Sequence, residues 1–180
     1  RCRIIGICIT AAQHTMSSTE LVPASGTASQ AAARADGRQF LTFRIGGEEY
    51  GLDILRVQEI RSYEAPTRVA HAPSFVKGVV NLRGVIVPIL DLRIRLGQPS
   101  EYNGFTVVIV LNVAGRVVGI VVDSVSDVLE LSASEIKPRP EVPAAIDSRF
   151  MTGLGKLGER MLILLDIEAM IKSPDFGLVD

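Results

Sequence analysis

The chain holds no tryptophan, two histidines and two cysteines among its 180 residues, and aromatic residues make up 5% of it. Each scarcity closes a class of function. Cys2 and Cys8 both lie in the first ten residues. No disulfide framework can staple the fold, and a His/Cys metal cluster cannot be assembled in the folded part. His14 sits in a Ser/Thr/Ala-rich stretch and His71 reads as a lone loop residue. Ser124, Ser126, Ser132 and Ser134 lie in no G-x-S-x-G context, so a serine nucleophile has little imidazole to draw on. Few aromatics leave few stacking platforms for single-stranded nucleic acid. A net charge of -1 supplies no field toward DNA or an anionic membrane. The apolar run Val85-Ile-Val-Pro-Ile-Leu90 falls far short of the roughly 18 residues that suggest a membrane span. Arg61, Arg68, Arg83, Arg93 and Arg95 are scattered among acids and read by default as solvated surface charges.

What is present is ordinary globular material, 47% hydrophobic and 22% charged, enough for one sizeable core or two small ones. Arg1-Cys-Arg3 followed by Ile4–Ile9 has the outline of a short secretory leader. Met16 followed by Ser-Ser-Thr is the more natural start, which leaves residues 1–15 as upstream or added sequence. Residues 16–38 are rich in Ala, Ser, Thr and Gly without a sustained apolar period, and the reading is a disordered tail over 1–38. Composition changes at Gln39. Phe40–Ile45 reads as a strand, Gly46-Gly47 as a turn and Glu48–Asp53 as the returning strand. Residues 173–180 read as a C-terminal tail.

An internal repeat organises the rest. Residues 40–60 align with 108–128 without a gap: Gly47 falls on Gly115, Gly51 on Gly119, Val57 on Val125, Glu59 on Asp127 and Ile60 on Val128. At a longer offset Gly78 falls on Gly153 and Ile86–Leu92 on Met161–Ile167. Two copies fall short of the roughly three that a solenoid needs, so the expectation is a pair of β lobes, about 39–100 and about 101–172. Each copy carries four or five short strands, which suits a small barrel. Val85–Leu90 and Met161–Leu165 lack polar alternation, so both faces should be buried and the lobes should meet there. Pro88 cannot donate to a ladder and belongs at an edge or bulge. Short helices are expected at Asp91–Leu96 and near the C-terminus at Ile167–Lys172, each stopped by Gly or Pro. Asp91 and Asp166 fall at matching positions and read as N-caps rather than a catalytic pair. Gly153-Leu-Gly-Lys-Leu-Gly158 spells G-x-G-x-x-G, but an apolar strand follows it where a phosphate site needs a helix. It reads as a turn before a strand.

Four segments in order, Glu48–Arg61 with Val57-Gln-Glu-Ile60, Val76–Leu92 with Asn81-Leu-Arg-Gly84, Arg116–Asp123 and Ser126–Leu129, closely resemble the CheW family of chemotaxis coupling proteins. The resemblance covers residues 39–172. It implies a mainly β fold of two SH3-like, five-stranded barrel lobes packed together, with short helices including one near the C-terminus. It also implies a cytoplasmic, non-catalytic adaptor without a cofactor, recruited to membrane-associated receptor arrays. The implied partners are chemoreceptor signalling tips and the regulatory domain of the chemotaxis histidine kinase, with no nucleic acid and no direct membrane insertion. Carried over by motif, Val57, Glu59 and Arg83 match receptor-facing positions, and Val107 and Val108 line the neighbouring groove. No kinase-facing residue is named. Strands and turns need valines anyway, but the second copy has Gly158 where the first has Arg83, so the shared fold does not ask for arginine. Val57 and Glu59, two residues apart in an extended segment, should point the same way. The alternative is a small-ligand-binding or enzymatic β-barrel protein.

Overall fold

The computed structural model describes residues 37–139 and 148–174. Of the tails expected over 1–38 and 173–180, residues 1–36 and 175–180 lie outside them, as do residues 140–147. Strand β1 (Arg38–Ile45) turns at Gly46-Gly47 into β2 (Glu48–Asp53). A 3₁₀ turn at Ile54–Arg56 leads to β3 (Val57–Ser62). The β4 (Val76–Leu82)–β5 (Val85–Asp91) hairpin follows, then the short helix α1 (Leu92–Arg95). The second half repeats the plan with β6 (Val107–Val113), β7 (Arg116–Val122), β8 (Ser124–Leu131), the short β9 (Ile136–Lys137), β10 (Met151–Leu157), β11 (Arg160–Leu165) and α2 (Ile167–Lys172).

The strands form two sheets, ordered β8-β1-β2-β11-β10-β9 and β3-β6-β7-β5-β4. The expected equivalences appear as matching places: β1 with β6, and β5 with β11, always in different sheets. The lobes do not divide at residue 100, however. Hairpin β1–β2 is flanked by β8 and β11 of the second copy, and β6–β7 by β3 and β5 of the first. A repeat fixes which strands are equivalent but not which copy supplies the neighbour. Exchange gives each apolar hairpin a paired strand at both edges, which leaves it no open edge. Among the described residues the chain passes between the sheets at Ile54–Arg56 and again at Asp123.

Three apolar clusters result. Val87, Ile89, Val108, Val110 and Val121 fill the β4–β5 lobe, and Phe40, Leu131, Leu162 and Leu164 fill the β10–β11 lobe. Alternate residues of the exchanged hairpins, including Leu41, Phe43, Tyr50, Ile109, Leu111 and Ile120, build a larger core between the lobes. The lobes therefore meet mainly through β1–β2 and β6–β7, not through the expected runs. In those runs Ile86 is 61% exposed and Met161 56%, and Leu90, Leu165 and the partly buried Ile163 reach the central core. The reason is that β5 and β11 run past the end of the parallel ladder that covers them. Pairing of β5 with β7 begins at Ile89, so Pro88 lies on an internal strand one residue before the ladder that it could not serve.

Local features follow from the residues. Asp91 accepts from the Arg93 backbone N–H and Asp166 from that of Ala169, so both are N-caps. Gly78 and Gly153 match because each lets a neighbouring backbone pass: a Cβ would lie 2.1 Å from the Thr67 carbonyl oxygen in the first case and 2.6 Å from that of Lys137 in the second. The Gly-rich segment is thus strand β10 itself, with the turn confined to Gly158-Glu159, and not a turn preceding a strand. Arg38, expected in the tail, opens β1 through an ion pair with Asp53 at 2.8 Å and a cation–π contact with Phe40. Ser173, expected in the other tail, is buried and donates its N–H to Met170.

Arg93 also departs from expectation, being fully buried. Its Nε and Nη2 donate to Asp91, and Nη1 donates to the Glu101 carbonyl and to Asp123 at 3.0 Å. Burial works against its charge, and the bonds to Asp91 and Asp123 outweigh that and push its pKa upward. Asp123 also accepts from the Gly46 N–H, so this arginine pins the second crossing between sheets.

Candidate functional site

Strands β3 and β4 are the two edges of one sheet, and the cleft between them is lined by Arg61, Ser62, Val80, Leu82, Val108 and Val110. Its volume is about 70 Å³, far below the roughly 300–1,000 Å³ of a small-molecule site. Val108 is buried on the cleft side and pairs across β6 with Arg61. Val107, its neighbour, packs instead against the central core.

The register of β3 against β6 slips between Val57 and Glu59, so Val57 pairs with Leu111 and Glu59 with Val110. Simple alternation fails at this bulge. Val57 packs against the central core, while Glu59 shares the side of Val110 and points toward the cleft rim. The two residues do not face the same way, contrary to the expectation from spacing. Of the five residues singled out, Val108 lines the cleft, Glu59 and Arg83 pair with each other beside lining residues Arg61 and Leu82, and Val57 and Val107 pack against the central core.

Arg83 occupies the first central position of the two-residue β4–β5 turn, with φ +52°, and Gly84 follows at +86°. Such turns favour Asn, Asp or Gly, because a Cβ in the left-handed region costs about 1–2 kcal/mol. The equivalent position in the second copy is Gly158, at +60°. The fold tolerates arginine here and gains nothing from its backbone. Asn81 holds the turn by accepting from the Gly84 N–H. The Arg83 side chain is 81% exposed, and its Nη2 sits 3.2 Å from Glu59 Oε2.

Sequence reasoning missed Arg61. Its Nη1 lies 3.7 Å from the other oxygen of Glu59, so one carboxylate stands between two arginines. The spacing Glu59-x-Arg61 on a strand was the available signal. It also missed the counterpart site. Asp127, equivalent to Glu59, is bound by Arg160 through both of its oxygens. Arg160 bonds Glu49 as well, and the Thr42 hydroxyl donates to Asp127. Bonding to Arg160, then to Thr42, holds the Asp127 carboxyl below its ordinary value. Among the described residues no group of three or more His, Cys, Asp or Glu could hold a metal ion, and no helix is long and apolar enough to cross a membrane.

The arrangement is that of a paired-lobe β protein whose distinctive residues stand on an open sheet edge. A family model described as the CheW-like domain matches residues 39–175. The chemotaxis protein CheW of Klebsiella aerogenes is 57% identical over 155 residues, covering 86% of this chain and 93% of that protein. That of Rhizobium meliloti is 38% identical over 140 residues, covering 77% and 90%. The crystal structure of the scaffolding protein TtCheW from Thermoanaerobacter tengcongensis superposes with a TM-score of 0.71 at 30% identity, covering 76% of this chain and 94% of that one. The chain belongs to the CheW family.

Proposed function

We propose that this protein is a non-catalytic scaffold that couples the cytoplasmic tips of chemoreceptors to the regulatory domain of the chemotaxis histidine kinase, acting in the cytoplasm at membrane-associated arrays. Family membership and a structural relative known as a scaffolding protein support the adaptor role. The observation that carries the receptor-facing assignment is Arg83, a long exposed cation held in a left-handed turn where the equivalent lobe uses glycine. Strained residues cluster at functional sites, and what sets this one apart from the equally left-handed Ala114 is the long exposed cation that it carries. Beside it, Val80, Leu82, Val108 and Val110 offer an apolar cleft for one face of an amphipathic receptor helix, with Glu59 and Arg83 at the rim.

Co-sedimentation of the full chain with receptor signalling tips, with and without the kinase, tests the reading. Wild type should join both. Glu59→Arg and Arg83→Glu should each cost about 2–5 kcal/mol of receptor binding if the charges are desolvated at the interface. Folding stability should shift by no more than about 0.5 kcal/mol for the exposed Arg83 and by about 1 kcal/mol for the partly buried Glu59. Undiminished binding by either variant removes that residue from the interface, and a large loss of stability assigns the ion pair to the fold instead.

A further inference from the structure

Glu59 is served by two arginines, one on each oxygen. Arg83 takes Oε2 at 3.2 Å and Arg61 takes Oε1 at 3.7 Å. They are held differently. Arg61 lies within β3, its position fixed by the ladder to Val108, and its side chain is 42% exposed. Arg83 springs from a turn whose backbone is pinned by Asn81, but its 81% exposed side chain bonds no other side chain than Glu59 among the described residues. If Arg83 swings away, Glu59 keeps a cation. Glu59 itself is only 25% exposed, and a carboxylate in that position would be costly to cover with a partner while unpaired.

We propose that Arg61 is a reserve counter-ion for Glu59 that releases Arg83 to pair with a carboxylate on the docking partner, so that the partner presents an Asp or Glu beside an apolar row. The proposal rests on the receptor-binding reading above and adds the chemistry of the contact. A partner without an acid there would bury the guanidinium unpaired, whereas a carboxylate meets it in a charge-assisted, bidentate geometry. The apolar row fits Val80, Leu82, Val108 and Val110 along the cleft, and Glu64 at the far end of the lining disfavours a second acid in that direction. Arg61 is in this scheme a positioning residue that need not touch the partner.

The test is a binding series on the full chain with a receptor signalling-tip fragment as the probe, comparing Arg61→Gln, Arg61→Lys, Glu59→Gln and the Glu59→Gln/Arg61→Gln double variant. Arg61→Gln should raise Kd about three- to thirty-fold, between the values expected for an exposed and a desolvated pair. Arg61→Lys should stay near wild type, because a cation is all that Glu59 needs. The double variant should return to within about two-fold of wild type, since no carboxylate is left to neutralise. Failure of the double variant to recover overturns the proposal and makes Arg61 a direct contact. So does an unchanged Kd for Arg61→Gln, or a large loss with Glu59→Gln alone, which would mean that Glu59 meets a cation of the partner. Absence of wild-type binding overturns both this scheme and the coupling reading.

Discussion

Asp127 and Glu59 hold equivalent positions on the edge strands of the two sheets, yet their cations treat them differently. Arg160 grips Asp127 at both oxygens and ties it to Glu49 on β2, with its own side chain 38% exposed, while the Thr42 hydroxyl on β1 donates to Asp127 directly. Arg83 meets Glu59 through one contact at 3.2 Å from a side chain 81% exposed. The first arrangement joins four strands of its lobe, β8, β11, β2 and β1, and is a structural fastening. The second joins a turn to an edge and fastens little. Duplicated lobes thus separate what a single lobe would confound: the acid at this place is part of the shared plan, and the loose, strained arginine is the departure from it.

Breaking the tight site gives the largest expected effect. Arg160→Ala strands Glu49 and Asp127 without their cation and should cost about 1–3 kcal/mol by urea denaturation, with receptor-tip binding unchanged per folded molecule. The corresponding loss for Arg83→Ala should be at most about 0.5 kcal/mol, as for an exposed pair. Equal losses would erase the distinction.

Arg83→Gly imports the second lobe's solution into the first. Relief of left-handed strain should outweigh the greater freedom of the unfolded chain and the lost exposed pair, for a net gain of about 0.5 kcal/mol while receptor binding falls. Ala114, at φ +50° in the β6–β7 turn, is the control. Ala114→Gly should stabilise by a similar amount and leave binding alone. Thermal melts with pull-downs on the same samples check both.

The smallest effect is on acid stability. The Asp127 carboxyl titrates below its ordinary value of 3.8 in the fold. Its contribution is therefore full above about pH 4 and is lost as pH falls through the lower folded value. Arg160→Gln should flatten this limb by about 0.3 kcal/mol, given the exposure of the pair. An unchanged profile as pH falls below about 4 would show that Arg160 does not hold Asp127 in solution.

Much of the plan was legible because the strands repeat. Glycines at matched places, caps at Asp91 and Asp166, and the Gly46-Gly47 turn depend on nearest neighbours along the chain, and sequence carries those directly. Strand exchange was not legible, since Val85–Leu90 reads identically whichever copy lies beside it. Nor was the bulge at Gln58, which turns Val57 away from Glu59 without any glycine or proline to announce it. Arg93 was misread because its partners Asp123 and Glu101 come together only through the crossing between sheets. At the cleft, Arg83 and Val108 were legible from motif and from the contrast with Gly158. Arg61 was not, because an arginine on an edge strand is ordinarily just a solvated charge.

The exchanged hairpins impose an order on synthesis. The sheet bearing Glu59 and Arg83 has all of its strands once Val122 has emerged, but the other needs β11, which ends at Leu165. Hairpin β1–β2 is translated first and completed last. At about 5–20 residues per second it waits on the order of 10 s with Phe40, Leu41, Phe43 and Ile45 unsheltered and both edges unpaired. Its long-range pairings also make it the slow step of folding. The lobe that bears the cleft is thus ready early, and the nascent chain's exposure to misassembly lies in the lobe that Arg160 fastens.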